Sequence, residues 1–197
     1  MSSACLCMRH LALASVFVVV LAVGCASTSA SKTTQVHTTP ASQEQRFSMV
    51  GSGWQTTALI TKDGAQGPQV NVGRFDNGAT IRGTVDNRVA DLRISGNRAS
   101  GTWGSVPLNL EVDDSGGQLK MNGLIAGRPS NWTASGEAIN GTIGFCAYDL
   151  QRQGDSYVGS RSCGRGIGNA TVQFPSTIGE WEPINVGVLM ALLMATP

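Results

Sequence analysis

Four segments carry the fold: GTVDNRVADLRI from Gly83, GTWGSVPLNLEV from Gly101, GLIAGRPSNWTA from Gly123 and GTIGFCAYDLQR from Gly141. Each opens on Gly. Each has an apolar residue two positions later (Val85, Trp103, Ile125, Ile143) and a large apolar residue nine positions later (Leu92, Leu110, Trp132, Leu150). A degenerate fifth unit, GSRSCG, begins at Gly159, so the starts recur evenly but for one longer interval between Gly101 and Gly123. That spacing fits one two-stranded hairpin with its connections. Hairpins that cannot bury a face alone must pack side by side.

Within and between the units the apolar residues alternate. Asp91 and Arg93 separate Ala90, Leu92 and Ile94, while Asn109 and Glu111 separate Leu108, Leu110 and Val112. Period two over four to six residues is a half-buried strand. Turn pairs punctuate the strands at Asp63-Gly64, Asn77-Gly78, Asp86-Asn87 and Gly154-Asp155, with a longer signal at Asp113 to Gly117. A Gly that recurs inside strands marks a bend or close backbone approach, hence a strongly curved sheet. The reading is all-β: an antiparallel meander, closing as a small barrel or roll of repeated Gly-rich hairpins. Its expected interior is Leu92, Ile94, Trp103, Leu108, Leu110, Leu119, Trp132, Ile143, Tyr148 and Leu150.

Outside this region the chain changes character twice. After Glu180-Trp181-Glu182 and Pro183, the run INVGVLMALLMA extends from Ile184 to Ala195. Pro at a helix start, followed by Leu, Met and Ala, predicts a short C-terminal helix. The run is too short to span a bilayer, which takes about 20 residues. It is expected to pack on the sheet or plug a barrel end. The alternative is a membrane-touching or partner-docking segment, although the run lacks the Lys and Arg that meet lipid headgroups.

At the other end, Arg9 and His10 precede the apolar run LALASVFVVVLAV, Leu11 to Val23. A positive start, a short apolar core and small residues at its end read as a secretory signal peptide. The run ends in Ala22-Val23-Gly24-Cys25, which resembles the cleavage motif of bacterial lipoprotein precursors, Leu-(Ala/Ser)-(Gly/Ala)-Cys. The resemblance covers the chain only as far as Cys25 and departs at Ala22, where Leu is usual. It implies acylation of Cys25 and cleavage before it, and Ala26 at the next position implies sorting to the outer membrane where an envelope has two. The segment from Met8 is itself a complete signal, so translation from Met1 or from Met8 gives the same mature chain. Ser and Thr make up nearly half of the stretch from Ala26 to Arg46, and Val36 is its one large apolar residue, the composition of a disordered tether. The expected organisation is therefore 1–24 signal peptide, 25–46 acylated Cys and tether, 47–182 hairpin domain and 183–197 C-terminal apolar helix.

Composition limits the chemistry. The 197-residue chain has 25 Gly, 41% apolar and 14% charged residues. It holds 14 Lys and Arg against 13 Asp and Glu, an exact balance once Arg9 is set aside. That overall neutrality gives no basic footprint for nucleic acid or for an anionic membrane surface. The two histidines, His10 and His37, fall outside the hairpin domain, so neither a Ser-His-Asp triad nor a His-activated thiol is expected there. Cys146 and Cys163 occupy similar positions after Gly141 and Gly159 and are expected to form a disulfide in an oxidising compartment. Two Cys without His do not make a zinc site, and no metal or cofactor is expected. Gly164, Gly166 and Gly168 lack the Lys-Ser/Thr of a phosphate loop.

Arg82, Arg88, Arg93 and Arg98 fall within one short stretch. They read either as a solvated face balanced by Asp86 and Asp91 or as an anion-binding strip for lipopolysaccharide or acidic glycan. Asp113, Asp114, Glu137 and Asp149 are the carboxylates from which a glycan hydrolase would have to draw its pair. The sequence thus leads to a non-catalytic envelope lipoprotein displaying a β-domain for structural or binding work. Its expected partners are the membrane, through acyl chains, and an envelope protein or glycan. The alternatives are a small barrel carrying an apolar ligand, separable by whether the interior is filled, and a carboxylate-dependent glycan hydrolase.

Overall fold

A computed structural model describes residues 45–164 and 166–196. The expected signal peptide, Cys25 and all but the end of the tether lie outside the described residues. Among those described, fourteen strands follow one another: β1 (Arg46–Gly51), β2 (Trp54–Thr61), β3 (Gly64–Gln66), β4 (Val70–Phe75), β5 (Thr80–Val85), β6 (Arg88–Ser95), β7 (Arg98–Trp103), β8 (Val106–Ser115), β9 (Gln118–Ile125), β10 (Arg128–Ser135), β11 (Ala138–Ile143), β12 (Cys146–Gln153), β13 (Ser156–Cys163) and β14 (Ile167–Gln173). A 3-10 turn at Ser176–Glu180 leads into the helix α1 (Pro183–Met194). Every strand pairs antiparallel with its neighbour in sequence, and β14 pairs with β1, closing an up-and-down barrel.

The alternation expected from sequence sets which way each side chain points. Along β6, Ala90 and Leu92 face in while Asp91 and Arg93 face out; along β12, Cys146, Tyr148 and Leu150 face in. Eight of the ten expected interior residues are buried, and Ile94 and Leu119 are half-buried against the core. The repeat glycines all fall on odd-numbered strands: Gly83 on β5, Gly101 on β7, Gly123 on β9, Gly141 on β11 and Gly159 on β13. At each one, an added Cβ would land on a main-chain carbonyl of the preceding strand, such as that of Asp91 for Gly101. The repeat is therefore a steric one, placing glycine where neighbouring backbones come too close for a side chain. The Asp86-Asn87 turn has both residues left-handed (φ 50° and 57°), the turn type that suits a two-residue hairpin.

Fourteen strands make a wide barrel. Eight already enclose an interior that side chains just fill, and the diameter grows with strand number. The space along the axis is occupied by α1. From Ile184 to Ala195 every residue but Val186 is buried, on all sides of the helix. A helix apolar all round belongs inside a core. At ~18 Å for 12 residues, it matches the height of walls built from tilted strands of about eight residues. It enters where Trp181 Nε1 donates to the Thr61 carbonyl (3.2 Å) and Thr177 Oγ1 to that of Ile60 (3.3 Å). It leaves at the other end, where the Tyr148 hydroxyl donates to the Met194 carbonyl and the Arg161 guanidinium to that of Thr196. We call the entry end, with the β2–β3 and β8–β9 turns, the upper rim. The opposite end, with the β5–β6, β11–β12 and β13–β14 turns, is the lower rim. The helix thus threads the barrel, where packing on the sheet or plugging one end had been the expectation.

Candidate functional site

Cys146 and Cys163 stand directly opposite one another on β12 and β13 and form a disulfide. The bond belongs to a buried polar cluster at the lower end of α1. Arg161, itself buried, donates from Nε to the Tyr148 hydroxyl (3.0 Å) and from Nη2 to Cys146 Sγ (3.3 Å), and its guanidinium lies 4.3 Å over the Trp54 ring. The last carbonyls of a helix have no partner within the helix and carry partial negative charge. Tyr148 satisfies the last of them, that of Met194, while Arg161 holds the carbonyl of Thr196 just past the helix, where its charge matches the sign of the dipole. Burial pushes the Tyr148 hydroxyl above its ordinary range, while the charge and hydrogen bond of Arg161 pull it partly back. The sequence placed Tyr148 inside, but Arg161 was missed, because a lone Arg in a strand gives no sign of its direction. A cleft of about 340 Å³ opens beside it, between Trp54, Cys163 and the 166–169 segment.

The four arginines of the expected anion strip are all exposed, but they do not form one patch. Arg82 pairs with Asp91 across β5 and β6 (2.9 Å), and Arg98 with Glu111 across β7 and β8 (3.0 Å). Arg93 lies on the outer wall between them. Arg88 and Arg98 sit at opposite ends of the β6–β7 hairpin, Arg88 at the lower rim with its guanidinium 5.6 Å from the centre of the Trp103 ring.

The carboxylates disperse as well. Asp149 points out from the middle of β12, and Glu137 is in the exposed β10–β11 turn. Asp113 accepts from the Ser115 hydroxyl (3.0 Å). Here β8 runs on to Ser115, so only Gly116 and Gly117 remain for the turn expected from Asp113 onward. Among the described residues no group of three His, Cys, Asp or Glu stands together as a metal would require.

An upper-rim cleft of about 390 Å³ lies between α1 and the wall. Its floor is apolar, with Leu119, Ile139, Phe174, Ile178, Val186 and Met190, while Asp114, Arg152 and Asp155 border its mouth. Tyr157 lines one side, donating to the Ser135 carbonyl (2.7 Å) and standing edge-on to Phe174. Half-burial raises the Tyr157 hydroxyl, with Arg152 opposing. Arg152 is turned to the backbone, donating to the carbonyls of Gly154 (3.0 Å) and Gly136 (3.1 Å). Asp114 and Asp155 are both exposed at the mouth, and the floor between them is apolar. The arrangement suits binding better than proton transfer.

Fold and site together define a closed antiparallel barrel filled by its own C-terminal helix and pinned by one disulfide. The chain matches no protein-family model, no curated protein and no solved structure.

Proposed function

We propose that the chain is a lipid-anchored envelope protein that holds a non-catalytic β-domain off a membrane for structural or binding work. The observation that carries the reading is the apolar run ending in Gly24-Cys25, followed by a Ser/Thr-rich tether and then a compact barrel. Several acyl chains on one cysteine, at roughly 0.8 kcal/mol per buried CH₂, are enough for stable anchoring. The disulfide fits an oxidising compartment. The outward wall supports anchoring by lipid: a barrel that spans a bilayer presents an apolar band outward, whereas this one turns out residues such as Asp91, Arg93, Asn109, Glu111 and Asp149. Ala26 after the cysteine favours the outer membrane.

The upper-rim cleft favours a second reading, a carrier of an apolar ligand. It is the weaker one, because α1 occupies the axis where a carrier barrel keeps its cavity. The experiment for the leading reading is labelled-palmitate incorporation with and without globomycin. Label should enter the wild-type chain, vanish in Cys25→Ser and be accompanied by precursor accumulation under globomycin. Normal labelling and fractionation of Cys25→Ser would refute it.

A further inference from the structure

The two rims differ in chemistry. Among the described residues six large apolar side chains are exposed, and five of them ring the lower end: Val50, Val89, Leu124, Phe145 and Ile167. The two most exposed belong to that set, Ile167 at 80% and Val89 at 60%, and Phe145 follows at 51%, level with Phe75. Phe75, the sixth, is at the upper rim. The acids divide the other way. The upper rim holds Asp63, Asp76, Asp114, Glu137, Asp155 and Glu182, interspersed with Lys62, Arg98 and Arg152, whereas Asp86 is the one acid in the described turns of the lower rim. Arg88 and Arg128 stand at the same rim, at the starts of β6 and β10.

We propose that the lower rim is a docking surface for an anionic lipid bilayer. Single exposed apolar residues need no explanation. Their gathering at one end, where Arg88 and Arg128 face a single acid, does, and it gives a neutral chain one locally positive apolar end that whole-chain charge does not reveal. The Arg128 guanidinium lies 4.6 Å over the Phe145 ring at the tip of the β11–β12 turn, so one projection presents an aromatic face and a positive charge together. Shallow burial of such side chains at a headgroup boundary, with Arg meeting lipid phosphate, is how peripheral proteins hold a membrane surface. The turns at one end of a barrel form a ring, and a ring meets a planar surface end-on. A protein partner could use the apolar tips, but it would not require the excess of cations.

The proposal goes beyond the anchor and does not depend on it. Strand β1 starts at the upper rim, and the tether before it spans at most ~70 Å when extended. That exceeds a wall of ~20 Å, so an acylated Cys25 still allows the lower rim to face the bilayer.

The test uses the full chain carrying Cys25→Ser, so that no acyl group contributes, with vesicles of phosphatidylcholine alone or with about 30 mol% phosphatidylglycerol. Hydrogen exchange is read at the 143–146 and 163–168 turns of the lower rim and at the 115–118 and 135–138 turns of the upper rim. The apolar leader also partitions into lipid, and comparing two rims of one molecule removes its effect. Anionic vesicles should slow exchange at the lower turns by about fivefold or more and leave the upper turns unchanged. The Phe145→Ser/Ile167→Ser variant should lose that protection while keeping its unfolding midpoint, since both side chains are exposed. Arg128→Glu should weaken it by about tenfold in lipid concentration. Equal slowing at both rims, equal slowing with neutral vesicles, no slowing, or protection that survives the double variant would each overturn the proposal. Loss of palmitate label bears on Cys25 alone.

Discussion

Cutting the Cys146–Cys163 bond should weaken the domain by an amount set by the loop it closes. The cysteines are 17 residues apart. On the chain-entropy account a loop of that size restricts the unfolded chain by about 3 kcal/mol. For a chain of this length that is a fall in melting temperature of about 6–12 °C. The choice of variant matters. Cys146 is fully buried and accepts from Arg161, so Cys146→Ala would add a cavity and remove an acceptor. Cys163 is only half-buried, so Cys163→Ala breaks the cross-link and leaves the buried sulfur in place. Urea unfolding of oxidised wild type against Cys163→Ala should show the loss together with a steeper denaturant dependence, because the freed chain exposes more surface. Eight cross-strand pairs between β12 and β13 should keep the native register in the variant. A loss below about 1 kcal/mol would refute the reasoning, and would mean that the unfolded chain already holds this hairpin together.

Two further outcomes follow from polar groups inside the barrel. Asn185 is fully buried on α1, and its amide nitrogen and oxygen find no hydrogen-bond partner, nor does Arg74 Nε nearby; Asn185→Leu should therefore stabilise the fold by about 1–2 kcal/mol in urea titration, and a loss of similar size would instead reveal a water bridging Asn185 and Arg74. Tyr148 is raised by burial in the folded chain, so its contribution is fully present below the ordinary tyrosine value near 10 and drains away as pH rises past it; stability measured from pH 8 to 11 should fall at the alkaline end, less steeply in Tyr148→Phe, with Tyr157 supplying the remainder, and an identical slope in the variant would exclude Tyr148 as the source.

The part of the fold that was legible in the sequence was the part governed by period two and by glycine. Alternation at Ala90, Leu92 and Ile94 is enough to assign an inner face, because side chains on a strand take opposite sides. The Gly83–Gly159 series was legible because one steric need recurs at each hairpin. The disulfide was expected from similar positions after Gly141 and Gly159, but the two cysteines face one another because Cys146 starts β12, past the turn from its glycine, whereas Cys163 ends β13, the strand of its own glycine. Rim polarity was not legible. Phe145 and Ile167 are ordinary apolar residues next to turns, and nothing in their spacing places their turns at one end. That requires the number of strands between them, since every second turn of a meander returns to the same rim. The arginine strip failed to assemble for the same reason: the stretch from Arg82 to Arg98 covers both ends of the barrel and the wall between.

The position of α1 required a step that periodicity does not contain. Ile184 to Ala195 has no polar stripe, and a helix lying on the outside of a sheet would show one. That already counts against packing on the outer wall. What remains is an enclosed site wide enough for a cylinder of about 10–12 Å across, and the width is fixed by strand number. Barrel and helix therefore specify each other. Without α1, a fourteen-stranded wall whose inner face carries Leu92, Leu108, Met121 and Trp132 would surround a lumen too wide for those side chains to fill; without the wall, α1 would expose Leu and Met on every side. Closing the β1–β14 seam and inserting the helix are on this argument one event, and a chain shortened before Pro183 should fail to close the barrel at all.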